Sequence, residues 1–147
     1  MKEIEYKFLV FKKKLPKLEK GLKIIQGYIS SSPTVRVRLV STEEYKKAFI
    51  TIKGNGTLIR DEFEYEIPFE DGLQLIVLCN KKLSKTRYLI PAENGLKWEI
   101  DVFEKHLEGL IIAELEVPSI DYKFTHPEWI KEDVTSDKKY TNSNLAL

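Results

Sequence analysis

The chain has a single cysteine, Cys79, among 147 residues, which excludes a disulfide framework and a cysteine-based zinc site. It has two histidines, His106 and His126, with no partner at ligand spacing, so neither is expected to bind a metal or to act in catalysis. No apolar run approaches the roughly 18 residues that span a bilayer. The opening Met1-Lys2-Glu3-Ile4-Glu5 lacks the apolar stretch of a signal peptide. Charge of one sign is not in excess either: 24 Lys and Arg face 23 Asp and Glu, a net +1, which argues against a polybasic nucleic-acid tail and an acidic disordered tail. Low-complexity stretches and Gly/Ser- or Pro-rich linkers are missing, and the length suits one domain over residues 1–147. The expectation from these absences is a cytoplasmic protein without a membrane segment.

What the chain has is charge. Charged residues make up 32% of it, against roughly 25% in an ordinary domain, beside 42% hydrophobic residues that can still build a core. Both follow a period of two, the signature of strands. It runs through Glu3–Phe8, Val35–Leu39, Phe49–Lys53, Glu62–Ile67, Trp98–Val102 and Ala113–Val117, with weaker cases at Lys85–Leu89 and Gln26–Ser30. Turn signals separate them at Gly54-Asn55-Gly56, Asn94-Gly95 and Glu108-Gly109. Helical spacing predicts a helix over 14–25 from Leu15, Leu18, Leu22 and Ile25, with Pro16 near its start. A second is expected over 71–82, with Leu73, Ile76 and Val77 on its buried stripe, Asp71 as N-cap and Cys79 in the core. A short third is expected over 136–145, opened by Ser136 and Asp137, while Trp129 and Ile130 pack the tail onto the sheet.

Within each strand one set of alternate residues is apolar and the other is charged. An antiparallel sheet with one wet face would do this. However, such a face normally carries Thr, Ser and Gln, because strands disfavour Glu and Asp. Here the charges are also sorted by sign. Arg36 with Arg38, Lys85 with Arg87, Glu3 with Glu5, Glu62 with Glu64 and Glu114 with Glu116 are like-charged neighbours about 7 Å apart on one face. Such pairs repel unless a ligand lies between them. Paired carboxylates call for a hard cation such as Mg²⁺ or Mn²⁺, and paired Arg/Lys call for phosphate. A metal-bound polyphosphate satisfies both. To gather so many charged faces around one small ligand the sheet must curl into a barrel, polar within and apolar without, with amphipathic helices covering part of the outside.

Glu3-Ile4-Glu5-Tyr6-Lys7 resembles the ExExK signature of the CYTH superfamily, the triphosphate tunnel metalloenzymes. The resemblance continues through Gln26-Gly27-Tyr28, Val35-Arg36-Val37-Arg38, Thr51-Ile52-Lys53-Gly54, Arg60–Glu66, Lys85-Thr86-Arg87-Tyr88, Trp98–Asp101 and Ala113–Glu116. It implies an α+β, mostly β fold: an eight-stranded antiparallel barrel, the tunnel, with a charged interior and flanking helices. It further implies that Glu3, Glu5, Glu114 and Glu116 bind a divalent metal, Mg²⁺ or Mn²⁺. Glu62, Glu64 and Asp101 are further metal candidates, and Glu62 and Glu64 could equally orient basic residues. Lys7, Arg36, Arg38, Lys53, Arg60, Lys85 and Arg87 are implied to hold the triphosphate, and Glu5, Lys7, Glu64 and Lys85 to serve catalysis. Glu66 and Glu99 are in phase but read as rim residues.

The compact length and the closing Tyr140-Thr141-Asn142 are most similar to the small bacterial-type tripolyphosphatases, which implies hydrolysis of inorganic triphosphate, with nucleoside triphosphates as weaker substrates. A class IV-type adenylate cyclase would need an adenine pocket, for which Tyr28, Phe49 and Trp98 are the available rings. Thiamine triphosphatase and a non-catalytic polyphosphate-binding module are the remaining alternatives. A nucleic-acid groove would be basic, which the many acidic residues on the same faces oppose. Outward apolar faces outnumber the helices available to cover them, which points to a homodimer.

Overall fold

The period-two segments all become strands in the computed structural model, which describes residues 1–147. The strands are β1 (Lys2–Val10), β2 (Leu22–Ser31), β3 (Thr34–Ser41), β4 (Lys46–Lys53), β5 (Ile59–Ile67), β6 (Lys81–Pro91), β7 (Lys97–Phe103) and β8 (Ile111–Glu116). They pair antiparallel in the order β5-β4-β3-β2-β6-β7-β8-β1, and β1 returns to β5 through Glu3↔Arg60, so eight strands close into a barrel. A ninth strand, β9 (Ile130–Asp133), which alternation does not announce, takes over the edge of β1 at Phe8 and Val10, where β5 has left it.

Alternation decides which residues face in. Ile4, Tyr6 and Phe8 point outward while Glu3, Glu5 and Lys7 point into the barrel. On β1, β7 and β8 the outward set (Phe8, Trp98, Ile100, Ala113, Leu115) forms the larger core. The expected helical cover is absent there. Instead the irregular stretch after Pro118 lays Tyr122, Phe124 and Trp129 over the barrel, with Trp98 and Trp129 edge to face at 5.2 Å.

The helix expected over 14–25 does not form. Lys12–Lys14 make a single 3-10 turn, and the chain enters β2 at Leu22. Leu15 and Leu18 join the outer core, whereas Ile24 and Gln26 alternate inward and pair with Lys85 and Leu83 of β6. The helical spacing therefore joined two unrelated segments, and ladder hydrogen bonds outweighed weak propensity behind Pro16.

The second helix, α1 (Phe69–Leu78), is shorter than expected and starts after Pro68, with Glu70 and Asp71 in its first turn, where they favour the helix dipole. Its buried side is also different. Gly72 lies against Ala48 and Leu39, and Ile76 and Cys79 meet Gly27, while Leu73 and Val77 face away, Val77 at 73% exposure. A Cβ on Gly72 would stand 2.5 Å from the Ala48 Cβ and 2.9 Å from Leu39 Cδ2. Gly72→Ala gains about 1 kcal/mol in helix propensity but overpacks a rigid contact at about 1–3 kcal/mol. We expect net destabilisation, read as a lower urea midpoint at unchanged m-value.

The tail helix expected over 136–145 is split. Asp137 caps a 3-10 turn, Lys138–Tyr140, by accepting from the Lys139 backbone N–H at 3.0 Å; Ser136 plays no such part. After Thr141 comes α2 (Asn142–Leu145). The tail ends in a two-way backbone pair between Leu147 and Lys82, at 2.8 and 3.0 Å. Its Leu145 and Ala146, with Tyr140, pack on Leu9, Leu83, Phe103 and Ile112. These are inward positions, so the interior is not polar throughout: one end of the barrel is filled with apolar side chains and the C-terminal segment.

Candidate active site

The other end of the interior holds a cavity of about 340 Å³ lined almost wholly by charged and polar side chains. Each wall is a run of inward alternate residues: Glu3, Glu5 and Lys7 from β1; Arg36 and Arg38 from β3; Lys53 from β4; Arg60, Glu62 and Glu64 from β5; Lys85 and Arg87 from β6; Glu99 from β7; Glu114 and Glu116 from β8. The barrel thus brings together every sequence-derived site residue except Asp101, which is fully buried behind the wall. Lys97 and Glu99 at the mouth, Tyr28, and Thr141, Asn142 and Ser143 from the tail line the same space and carried no charge-pair signal in the sequence. Of the three rings considered for base stacking only Tyr28 lines the cavity, and Trp98 is in the outer core. Both histidines lie outside it: His126 stacks on Phe124, and His106 meets the Leu145 carbonyl.

Strand register neutralises much of the charge. It places Lys53 opposite Glu62, Arg87 opposite Asp101, Lys7 opposite Glu114 and Glu3 opposite Arg60. Lys53 bonds Glu3 at 2.9 Å and Glu62 at 3.1 Å, and Arg36 reaches Glu64 at 3.2 Å. Asp101 accepts from Arg87 Nε at 2.7 Å and Nη2 at 2.9 Å, and pairs with Lys85 at 2.7 Å. Arg87 also reaches Glu99 at 3.2 Å, so Glu99 is part of the charge network rather than an idle rim residue.

The remainder is informative. Lys7 and Arg38 make no close ion pair: Lys7, although opposite Glu114, has its Nζ donating to the Tyr140 carbonyl at 3.1 Å, and Arg38 Nε donates to Gln26 Oε1 at 3.0 Å. Arg36 Nε is the one buried side-chain polar atom without a hydrogen-bond partner. Among the acids, Glu5 and Glu116 face each other across the β1–β8 ladder and neither has a basic partner. Register therefore leaves both a surplus of cationic donors and a surplus of carboxylate.

Proton affinities follow from this crowding. Burial pushes Glu5 well above the usual carboxylate range, and the charge of Glu114 and a hydrogen bond with it add to the rise. Burial also raises Glu116, with Glu3, Glu62 and Glu99 adding to it. For Glu114 burial acts upward too, but Lys7, the Glu5 hydrogen bond, Arg87 and Lys85 outweigh it and hold the carboxyl well below its usual range. Burial, opposed by Asp101 and aided by Arg87 and Arg38, brings Lys85 down to about 7. Burial and the charges of Arg36 and Arg87 lower Arg38 to about 10. Shifts of this kind gather where charged groups are crowded in a cleft, as they are at functional sites.

The carboxylates meet in pairs, with no three gathered as a ready ligand set. Their chemistry nevertheless fits a hard divalent cation, because the donors are all carboxylate oxygens and a cation would relieve the repulsion that Glu114 and Glu3 exert on Glu5 and that Glu3, Glu62 and Glu99 exert on Glu116. The cavity also fits an oxyanion, through Arg36 Nε and Arg38 on β3 and Lys7 on β1.

Comparison with known proteins agrees with this chemistry. The family model for the CYTH domain matches residues 1–144. An inorganic triphosphatase of Acetivibrio thermocellus is 42% identical over 150 residues, covering 99% of this chain and 93% of that protein. One from Nitrosomonas europaea is 37% identical over 153 residues, covering 100% and 98%. A crystal structure of an inorganic triphosphatase superposes with a TM-score of 0.69 at 34% identity, covering 99% of this chain and 94% of its own.

Proposed function

This chain belongs to the CYTH domain family, and we propose that it hydrolyses inorganic triphosphate to pyrophosphate and phosphate with the help of Mg²⁺ or Mn²⁺. The observation that carries the reading is the charge left over inside the barrel: Lys7 and Arg38 make no close ion pair, Arg36 Nε has no hydrogen-bond partner, and Glu5 and Glu116 have no basic partner. A metal-bound linear polyphosphate matches both.

In this reading Lys7, Arg36, Arg38, Lys53, Lys85 and Arg87 hold phosphate oxygens and stabilise the charge that builds up on them, with Arg60 nearer the mouth. Phosphoryl transfer needs little more than such positioning, with water as the nucleophile. Glu5, Glu114 and Glu116 are the groups we assign to the cation. When bound, it would neutralise phosphate charge and polarise the phosphoryl oxygens. Glu3 and Glu62 act by holding Lys53, and Glu64 by holding Arg36 at 3.2 Å while itself accepting from Thr51 Oγ1 at 2.9 Å. Asp101, already bound to both Lys85 and Arg87, is better placed to orient those cations than to ligate a metal.

Tyr28 is the only aromatic side chain lining the cavity and the rest of the lining is almost all charged or polar, which favours inorganic triphosphate over nucleoside triphosphates and over a cyclase. We place the protein in the cytoplasm, acting as one unit over residues 1–147. We also pair it with a second copy through the exposed ridge of Ile52, Phe63 and Tyr65, the last at 58% exposure.

The direct test is phosphate release from inorganic triphosphate, with ATP in parallel, in Mg²⁺, in Mn²⁺ and in EDTA. Metal-dependent release from triphosphate with ATP used poorly is the expected result. Tight binding without turnover, or cyclic AMP from ATP, would replace the proposal with the binder or the cyclase. Within the site, Arg38→Ala removes a charged donor that makes no ion pair and bonds only Gln26, so KM for triphosphate should rise roughly 10- to 100-fold. The melting temperature should change little.

A further inference from the structure

Lys85 and Arg38, two cations of the cavity, are joined by a chain of neutral amides. Lys85 Nζ donates to Asn142 Oδ1 at 2.9 Å. Gln26 Nε2 donates to the same oxygen at 3.4 Å and to the Tyr28 hydroxyl at 2.8 Å. At its other end, Gln26 Oε1 accepts from Arg38 Nε at 3.0 Å. Gln26 and Lys85 are fully buried. Asn142 arrives on the C-terminal segment, which the Leu147–Lys82 backbone pair and buried Ala146 hold in place and whose Tyr140 carbonyl also accepts from Lys7.

We propose that Asn142 is a positioning residue of this site, one that aims Lys85 directly, and Arg38 through Gln26, at the bound phosphate chain. The inference rests on the triphosphate reading above. An amide suits the task for a chemical reason. A carboxylate in its place would fix Lys85 equally well but would cancel the charge that must face the phosphates, whereas a carbonyl oxygen orients an ammonium and leaves its charge intact. Of the three donors on Lys85, Asp101 and Asn142 occupy two, and the side chain still lines the cavity, so one remains for a phosphate oxygen.

The test compares the wild-type chain with Asn142→Asp and Asn142→Ala, reading steady-state KM and kcat together with the triphosphate-induced rise in melting temperature, with and without Mg²⁺. Asn142→Asp keeps the shape and the bond to Lys85, so the free protein should melt at the wild-type temperature or higher. Its KM should nonetheless rise about tenfold or more, with kcat changed less and the triphosphate-induced shift reduced. Asn142→Ala should show a smaller rise in KM; should it fail to fold, the isosteric variant still decides. If Asn142→Asp binds triphosphate as tightly as wild type, Asn142 is only a structural contact and the inference is wrong. If the wild type itself neither hydrolyses triphosphate nor is stabilised by it, the reading of the site fails and this inference goes with it.

Discussion

In Glu116→Ala and Glu5→Gln proteins, metal-dependent release of phosphate from inorganic triphosphate should drop on the order of 10²- to 10³-fold while the fold persists. Glu5 and Glu116 stand opposite each other in the β1–β8 ladder without a basic partner, and Glu5 also crowds Glu114. Their charges are therefore costs in the metal-free protein. An acid whose folded-state pKa is raised weakens folding as pH climbs from its ordinary value, 4.5 for Glu5, toward the raised one. At neutral pH Glu5→Gln removes that cost, so the metal-free variant should melt at or above the wild-type temperature. Mg²⁺ or Mn²⁺ should raise the melting temperature of the wild type and act much less on either variant. Unfolding of both variants at ordinary temperature would remove these carboxylates from the site and return them to the scaffold.

Asp101→Asn should behave in the opposite way, with a loss of about 3–5 kcal/mol in stability. The Asp101 carboxylate is fully buried and accepts from Arg87 and Lys85 at 2.7–2.9 Å. Burial alone would raise its pKa, but Arg87 and Lys85 outweigh that and hold it below the ordinary value, so its contribution is present near neutral pH and is lost on acidification. Removing the charge leaves Arg87 with Glu99 at 3.2 Å and Glu114 at 3.9 Å, and leaves Lys85 with no carboxylate. Urea unfolding of the single variant gives the size of the loss. The double variant Lys85→Met/Asp101→Leu should recover much of it, since an apolar pair can replace a buried ion pair at little cost. A single variant within about 1 kcal/mol of wild type would mean that water reaches the pair.

The inward and outward faces of most barrel strands could be read directly, β2 excepted, because strand alternation is a local property. Glu3, Glu5 and Lys7 must lie on one face and Ile4, Tyr6 and Phe8 on the other, whatever the strand pairs with. The sorted charges already called for closure into a barrel, and the resemblance to the CYTH superfamily added the strand number and the roles of the interior charges. Strand β9 and the irregular cover over Trp98 escaped notice because nothing periodic marks them. The 14–25 helix failed for the converse reason: a spacing that looked helical ran across two segments, and β2 was claimed by partners as distant as Lys85.

Which charges are spent on one another and which remain for a ligand was a tertiary decision. In sequence, Arg36 and Arg38 are equivalent; in the barrel, Arg36 reaches Glu64 while Arg38 finds only Gln26. Asp101 looked like one more carboxylate until register set it between Lys85 and Arg87. Asn142, 57 residues beyond Lys85, stands in a stretch that marks family resemblance but no charge or period, and it reaches the site only because the tail folds back across the barrel end. Alternation along a strand needs only neighbours in the chain. Electrostatic pairing needs distances of a few ångströms between strands, and those exist only once the barrel has closed.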